Sequence, residues 1–75
     1  MKASINDVRT LVKQINEKRG FQEAGWNTVG AIRLYRYAIG IAIDEVMNVH
    51  GGVNRLAGGG LTKNEAYEFL RGMEG

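Results

Sequence analysis

Residues 28–48 read TVGAIRLYRYAIGIAIDEVMN, the densest run of β-branched and aliphatic side chains in the chain. Whether this stretch is one helix or two strands decides the fold. Positions 29, 32, 36, 39, 43, 46 and 50 follow alternating three- and four-residue steps, as a helical seam would. Two of those places hold Arg36 and His50, however, and Gly30 and Gly40 would each cost a helix ~1 kcal/mol. Ile39, Ile41 and Ile43 alternate instead, as do Ile32 and Leu34 with Arg33 and Tyr35 between them, which is the two-residue period of a pleated strand. Gly40 lies near the midpoint, where a hairpin turns. The stretch therefore reads as two antiparallel strands, 29–36 and 41–48.

Both flanks have helical spacing, each with one apolar face that needs such a sheet. Upstream, Ile5, Val8, Leu11, Val12 and Ile15 form one stripe over residues 4–19. Ser4 is a natural N-cap, Asp7 sits near the positive end of the dipole, and Lys18 and Arg19 suit the last turn. Gly20 supplies the stop. A connection, GFQEAGWN, spans residues 20–27, and Trp26 at its end is expected to cover one end of the core. Downstream, His50-Gly51-Gly52 breaks the chain, and residues 53–56 are a short third strand or an irregular segment. Ala57 and Gly58 to Gly60 read as a flexible loop. Thr62 and Glu65 match a capping box, opening a helix over 62–73 with Ala66, Phe69, Leu70 and Met73 on one side. The fold class is α+β: N-terminal helix, antiparallel β-hairpin with a possible short third strand, and C-terminal helix (αββα). Residues 1–75 form a single domain with both helices on one face of the sheet.

A chain of this size buries only about 60% of its extended surface, so a second copy is the expected source of added stability, and a homodimer is the default. The sequence has no cysteine and one histidine, His50, which rules out a disulfide framework and leaves no thiolate metal site. No metal or cofactor is expected. The net charge of +2 is too small to argue for nucleic acid by itself. It is unevenly spread: residues 1–36 carry seven Lys/Arg against three Asp/Glu, and residues 37–75 three against five. The opening helix is polar and of mixed charge, unlike a signal peptide, and charges interrupt every apolar run, so no membrane span and a cytoplasmic location are expected.

Several short pieces resemble a recurring type of small protein encoded by tailed bacteriophages and prophages. They are Val29-Gly30-Ala31 with Leu34 in the first strand, Tyr37-Ala38-Ile39-Gly40 at the turn, and Val46-Met47-Asn48. Gly51-Gly52-Val53 and Thr62-Lys63-Asn64-Glu65, with Tyr67, Phe69, Leu70 and Gly72, complete the set. The resemblance covers residues 28–73 and departs at Ile39, where such proteins tend to have tyrosine or glycine. It implies an origin and a fold, and a location in the host bacterial cell, without an assigned activity.

The sequence holds no catalytic constellation, so no enzyme activity is expected. Gly58-Gly59-Gly60-Leu61-Thr62-Lys63 runs a glycine segment into a helix start, which can present N–H groups to an anion, yet the phosphate-loop pattern is absent. Gly59, Gly60, Thr62 and Lys63 are thus either an anion contact or a plain connection before a capped helix. Arg33, Tyr35 and Tyr37 are expected on one face of the first strand, with Arg36 on the other. Basic residues interleaved with aromatics hold single-stranded nucleic acid in several modules, and equally border protein interfaces. Adjacent Asp44 and Glu45 point to opposite faces, so they are read as solvated or salt-bridged, and His50 as a loop residue. The leading expectation is a phage- or prophage-derived accessory protein that binds a host protein or a small anionic ligand. The alternatives are nucleic-acid binding through Arg33, Tyr35, Arg36, Arg55 and Lys63, and a self-associating virion or assembly component.

Overall fold

The computed structural model describes residues 2–21, 28–50 and 52–74. In chain order the elements are α1 (Ile5–Lys18), β1 (Ile32–Tyr37), β2 (Gly40–Val46), β3 (Val53–Leu61) and α2 (Lys63–Glu74). The strands form one antiparallel sheet in the order β1-β2-β3. Both helices pack on the same side of it, as the α+β reading requires.

Local chemistry sets the helix ends. The Ser4 hydroxyl accepts from the Asp7 N–H at 3.2 Å while the Asp7 carboxylate accepts from the Ser4 N–H at 2.9 Å. These reciprocal bonds satisfy two donors that the first turn of α1 leaves free. At its other end the Gly20 N–H donates to the Glu17 carbonyl and the Phe21 N–H to the Asn16 carbonyl. That pattern, with Gly20 at φ +94°, is a Schellman stop. Thr62 and Glu65 repeat the capping box at α2, with bonds of 2.9 and 3.1 Å.

The apolar faces meet beneath the sheet. Val8, Leu11 and Ile15 of α1 and Ala66 and Leu70 of α2 bury against Ile32, Ile41 and Ile43. Each fully buried side chain of this size contributes ~1.5–3 kcal/mol. The register fixes which residues these are: Leu34 stands opposite Ile43, so the even positions of β1 and the odd positions of β2 face the helices.

Asn16 closes one gap in this packing. It is buried on α1, and its side-chain amide donates to the Ile32 carbonyl at 3.0 Å and accepts from the Ile32 N–H at 2.7 Å. Ile32 lies on an outer strand, so without Asn16 both backbone groups would be unpaired beside the core.

Three readings need correction. The first strand begins at Ile32 and not at residue 29, because Val29 and Gly30 turn the chain, with Gly30 at φ +90°. The hairpin turns at Ala38-Ile39, and Gly40 already belongs to β2, which ends at Val46. The third strand is the longest of the three, and Ala57 to Gly60 lie within it, not in a flexible loop. Its pairing with β2 shifts register twice, between Ile41 and Ala42 and between Ile43 and Asp44. Leu56 is the extra residue at one shift, and Gly59 and Gly60 at the other. Glycine is required at Gly58: φ is +107°, and a Cβ there would lie 2.5 Å from the Ile41 carbonyl oxygen. The expected role of Trp26, and Gly51 of the break, lie outside the described residues.

Candidate binding face

With both helices on one side, no helix among the described residues covers the opposite side of the sheet. Alternation brings Arg33, Tyr35 and Tyr37 of β1 to it, as expected, together with Ala42, Asp44 and Val46 of β2. Beyond them, β3 contributes Val53 and Arg55.

Its floor holds Ala42, Asp44 and the fully buried Val46, and its rim is aromatic. Ala42 and Asp44 are buried, while Tyr35 and Tyr37 remain 44% and 38% exposed. The two tyrosine rings lean on one another, with centroids 4.7 Å apart and planes tilted by 38°. Arg55 reaches across from β3. Its Nε donates to the Asp44 carboxylate at 3.1 Å, its terminal nitrogen donates to the Tyr37 hydroxyl, and its guanidinium carbon lies 5.1 Å from the Tyr37 ring centroid. Asp44 foremost, and then the Tyr37 hydroxyl, raise the affinity of Arg55 for its proton above the ordinary value. Arg33 lies directly opposite Asp44 in the β1–β2 register, so the buried carboxylate sits between two cationic positions. Asp44 is paired with Arg55, and Arg33 leaves the face with a net positive charge.

Asp44 and Glu45 behave as their adjacency demands. Asp44 pairs with Arg55 on the open side, while Glu45 accepts from Arg19 of the α1 C-terminus at 3.2 Å. His50 is exposed in a turn, where its N–H donates to the Asn48 side chain at 3.0 Å.

The other expected site residues gather elsewhere. Arg36, Tyr37, Gly60, Thr62 and Lys63 line an open groove of about 310 Å³ at the hairpin tip, together with Ile39 of the turn. Gly59 is on β3, and a Cβ built there would come 3.8 Å from an Arg55 terminal nitrogen. Only Tyr37 belongs to both the groove and the open face. The groove is a weak anion site on physical grounds, because Glu65 already occupies the helix start. Hydrogen bonds from Thr62, its backbone N–H first and its side chain second, hold the Glu65 carboxyl below its ordinary range, so a carboxylate already takes the Thr62 N–H that an anion at this helix start would use. A second depression of about 420 Å³ runs along α2 between Asn64, Tyr67, Glu68 and Arg71, with Arg71 5.9 Å from the Tyr67 ring centroid. Among the described residues no three His, Asp or Glu side chains come together as metal ligands, and no helix is long and apolar enough to cross a membrane.

Val53 and the Arg55–Asp44–Tyr37 connection were not legible as a unit in the sequence. Both depend on the β2–β3 register, which the bulge at Leu56 sets. No protein-family model matches the chain, and neither a curated protein nor a solved structure shows significant similarity to it.

Proposed function

We propose that the chain is a non-catalytic binding protein that uses the open face of its sheet to hold a protein partner. The observation that carries this reading is the exposed Tyr35–Tyr37 pair, standing on a floor whose charges are already paired. Tyrosine and arginine are among the residue types that dominate the energy of protein interfaces, and tyrosine buries a large area at little entropic cost. The Asp44–Arg55 pair lets the centre of the face be covered without stranding the buried carboxylate, while Arg33 offers a cation to a partner's acidic group. The resemblance of residues 28–73 to small phage-encoded proteins makes a host protein the natural target, in the cytoplasm of a bacterial cell. A small anionic ligand in the hairpin-tip groove is disfavoured by Glu65.

Nucleic acid is the second reading, and its support is that Arg33, Tyr35, Tyr37 and Arg55 share one face. Against it, each tyrosine ring already has a neighbour, Arg55 is engaged by a carboxylate, and Arg36 and Lys63 lie at the groove and not on this face. One experiment separates the two. Wild-type protein and the Tyr35→Ala/Tyr37→Ala variant are each immobilised and exposed to bacterial lysate with and without nuclease, and binding of labelled single-stranded DNA is followed from low to high salt. A protein captured by the wild type alone, and insensitive to nuclease, is the expected result. DNA binding that weakens steeply with salt and with the double substitution would overturn it in favour of the second reading.

A further inference from the structure

The free edge of β1 carries a pattern that selects its own occupant. Asn16 binds both backbone groups of Ile32, which places Ile32 among the outward-facing positions of this strand. Outward and inward positions alternate along an antiparallel pair, so the N–H and C=O of Leu34 and Arg36 also point away from β2. Among the described residues nothing on the chain pairs with them. The opposite edge of the sheet, on β3, is broken by two register shifts and by positive φ at Gly58 and Gly59, so it offers no regular ladder. The β1 edge is straight and short, with one end closed by Asn16.

We infer that this edge pairs with the β1 edge of a second copy of the same chain, antiparallel, about a two-fold axis at Tyr35. Three symmetric registers come into consideration. An axis at Leu34 would oppose Arg36 to Ile32, whose backbone groups Asn16 already holds, leaving only the central pair of bonds. An axis at Arg36 would set two arginines directly against each other, which is repulsive. The axis at Tyr35 opposes Leu34 to Arg36 of the second copy and Arg36 to its Leu34, so every free N–H and C=O on the edge gains a partner. It also sets Arg33 against the second copy's Tyr37, a cation facing an aromatic ring, and it opposes no two like charges. The result is a six-stranded sheet in which the two tyrosine pairs join into one band across the axis. This inference concerns the edge and not the face, so it stands whatever the face binds.

The chain has no cysteine, which makes the register directly testable. In the proposed register Tyr35 faces Tyr35 of the second copy as a non-hydrogen-bonded pair, with Cα atoms about 4.5 Å apart, within disulfide reach. Tyr35 is exposed, so Tyr35→Cys is compatible with the fold. The full-length wild type is expected to sediment at twice the 8.3 kDa chain mass. Mild oxidation of Tyr35→Cys should give a covalent dimer on a non-reducing gel. Arg33→Cys or Tyr37→Cys alone should not, but an equimolar mixture of these two should cross-link to each other. Circular dichroism of each variant confirms that it is folded. A wild type that stays monomeric at every concentration would overturn the inference. So would a dimer whose cross-links form equally at all three positions, or do not form at position 35.

Discussion

Strand β2 sends Ile41 and Ile43 to one side and Ala42 and Asp44 to the other, and all four are buried. They are buried by different means. The isoleucines lie under two helices, in an apolar cluster with Val8, Leu11 and Leu70. Ala42 and Asp44 have, among the described residues, side chains of the neighbouring strands beside them, Tyr35 standing opposite Ala42 and Arg33 and Arg55 flanking Asp44. On the first side burial removes oily surface from water and holds the fold together. On the second it makes a floor whose aromatic cover is still exposed. Burial by itself therefore does not separate a core from the base of a binding face; the exposure of the covering layer does.

Breaking the first side should be the most damaging change. Ile43→Ala is expected to cost ~2–5 kcal/mol, which rivals the whole ~3–5 kcal/mol that a core of this size supplies. Urea titration followed by circular dichroism should find the variant largely unfolded without denaturant.

Next in size is the seam where β3 lies against β2. Gly58→Ala asks for a Cβ 2.5 Å from the Ile41 oxygen at a φ of +107°, and is expected to cost ~1–3 kcal/mol. Gly72→Ala, in α2 with open space around it, should instead stabilise by ~0.5–1 kcal/mol. Parallel thermal melts of the two variants should move in opposite directions.

A smaller effect concerns the anchoring of α2. Hydrogen bonds from Thr62 lower the Glu65 pKa below its ordinary 4.5, so the folded state favours the carboxylate. The sign follows from linkage: this contribution is present above pH 4.5 and is lost as the pH falls through the lower folded-state value. Glu65→Gln should flatten that part of the acid limb while leaving the remainder of the pH profile in place, as read by denaturation midpoints from pH 6 down to about 3.

The smallest stability change should come from the open side. Tyr35→Ala is expected to cost no more than ~1 kcal/mol, since the half-exposed ring lies outside the helix-side core and loses mainly its contact with Tyr37. Partner capture should nonetheless fall sharply.

How much of this was legible in the sequence follows the same division. Helix faces, the Ser4 N-cap, the Thr62–Glu65 capping box, the Gly20 stop and the grouping of Arg33, Tyr35 and Tyr37 are local or periodic, so residue spacing alone determines them. Strand ends and the course of β3 were not, because they depend on a partner strand. Three glycines in a row have the composition of a loop, and only pairing with Ile41 and Ala42 makes Gly58 part of a sheet. Asn16 likewise is, by spacing alone, one more polar position on an amphipathic helix. Its value comes from Ile32, sixteen residues on, whose unpaired backbone groups exist only once β1 is an outer strand.

The most direct measurement is site-specific photo-cross-linking in bacterial cells, with a photoreactive phenylalanine analogue placed in turn at Tyr35, at Tyr37 and at Gln14 on the exposed side of α1. Discrete adducts to a heterologous protein from positions 35 and 37, and none from position 14, are expected if the open face is the recognition surface. Adducts of equal strength from all three positions, or from position 14 alone, would contradict it.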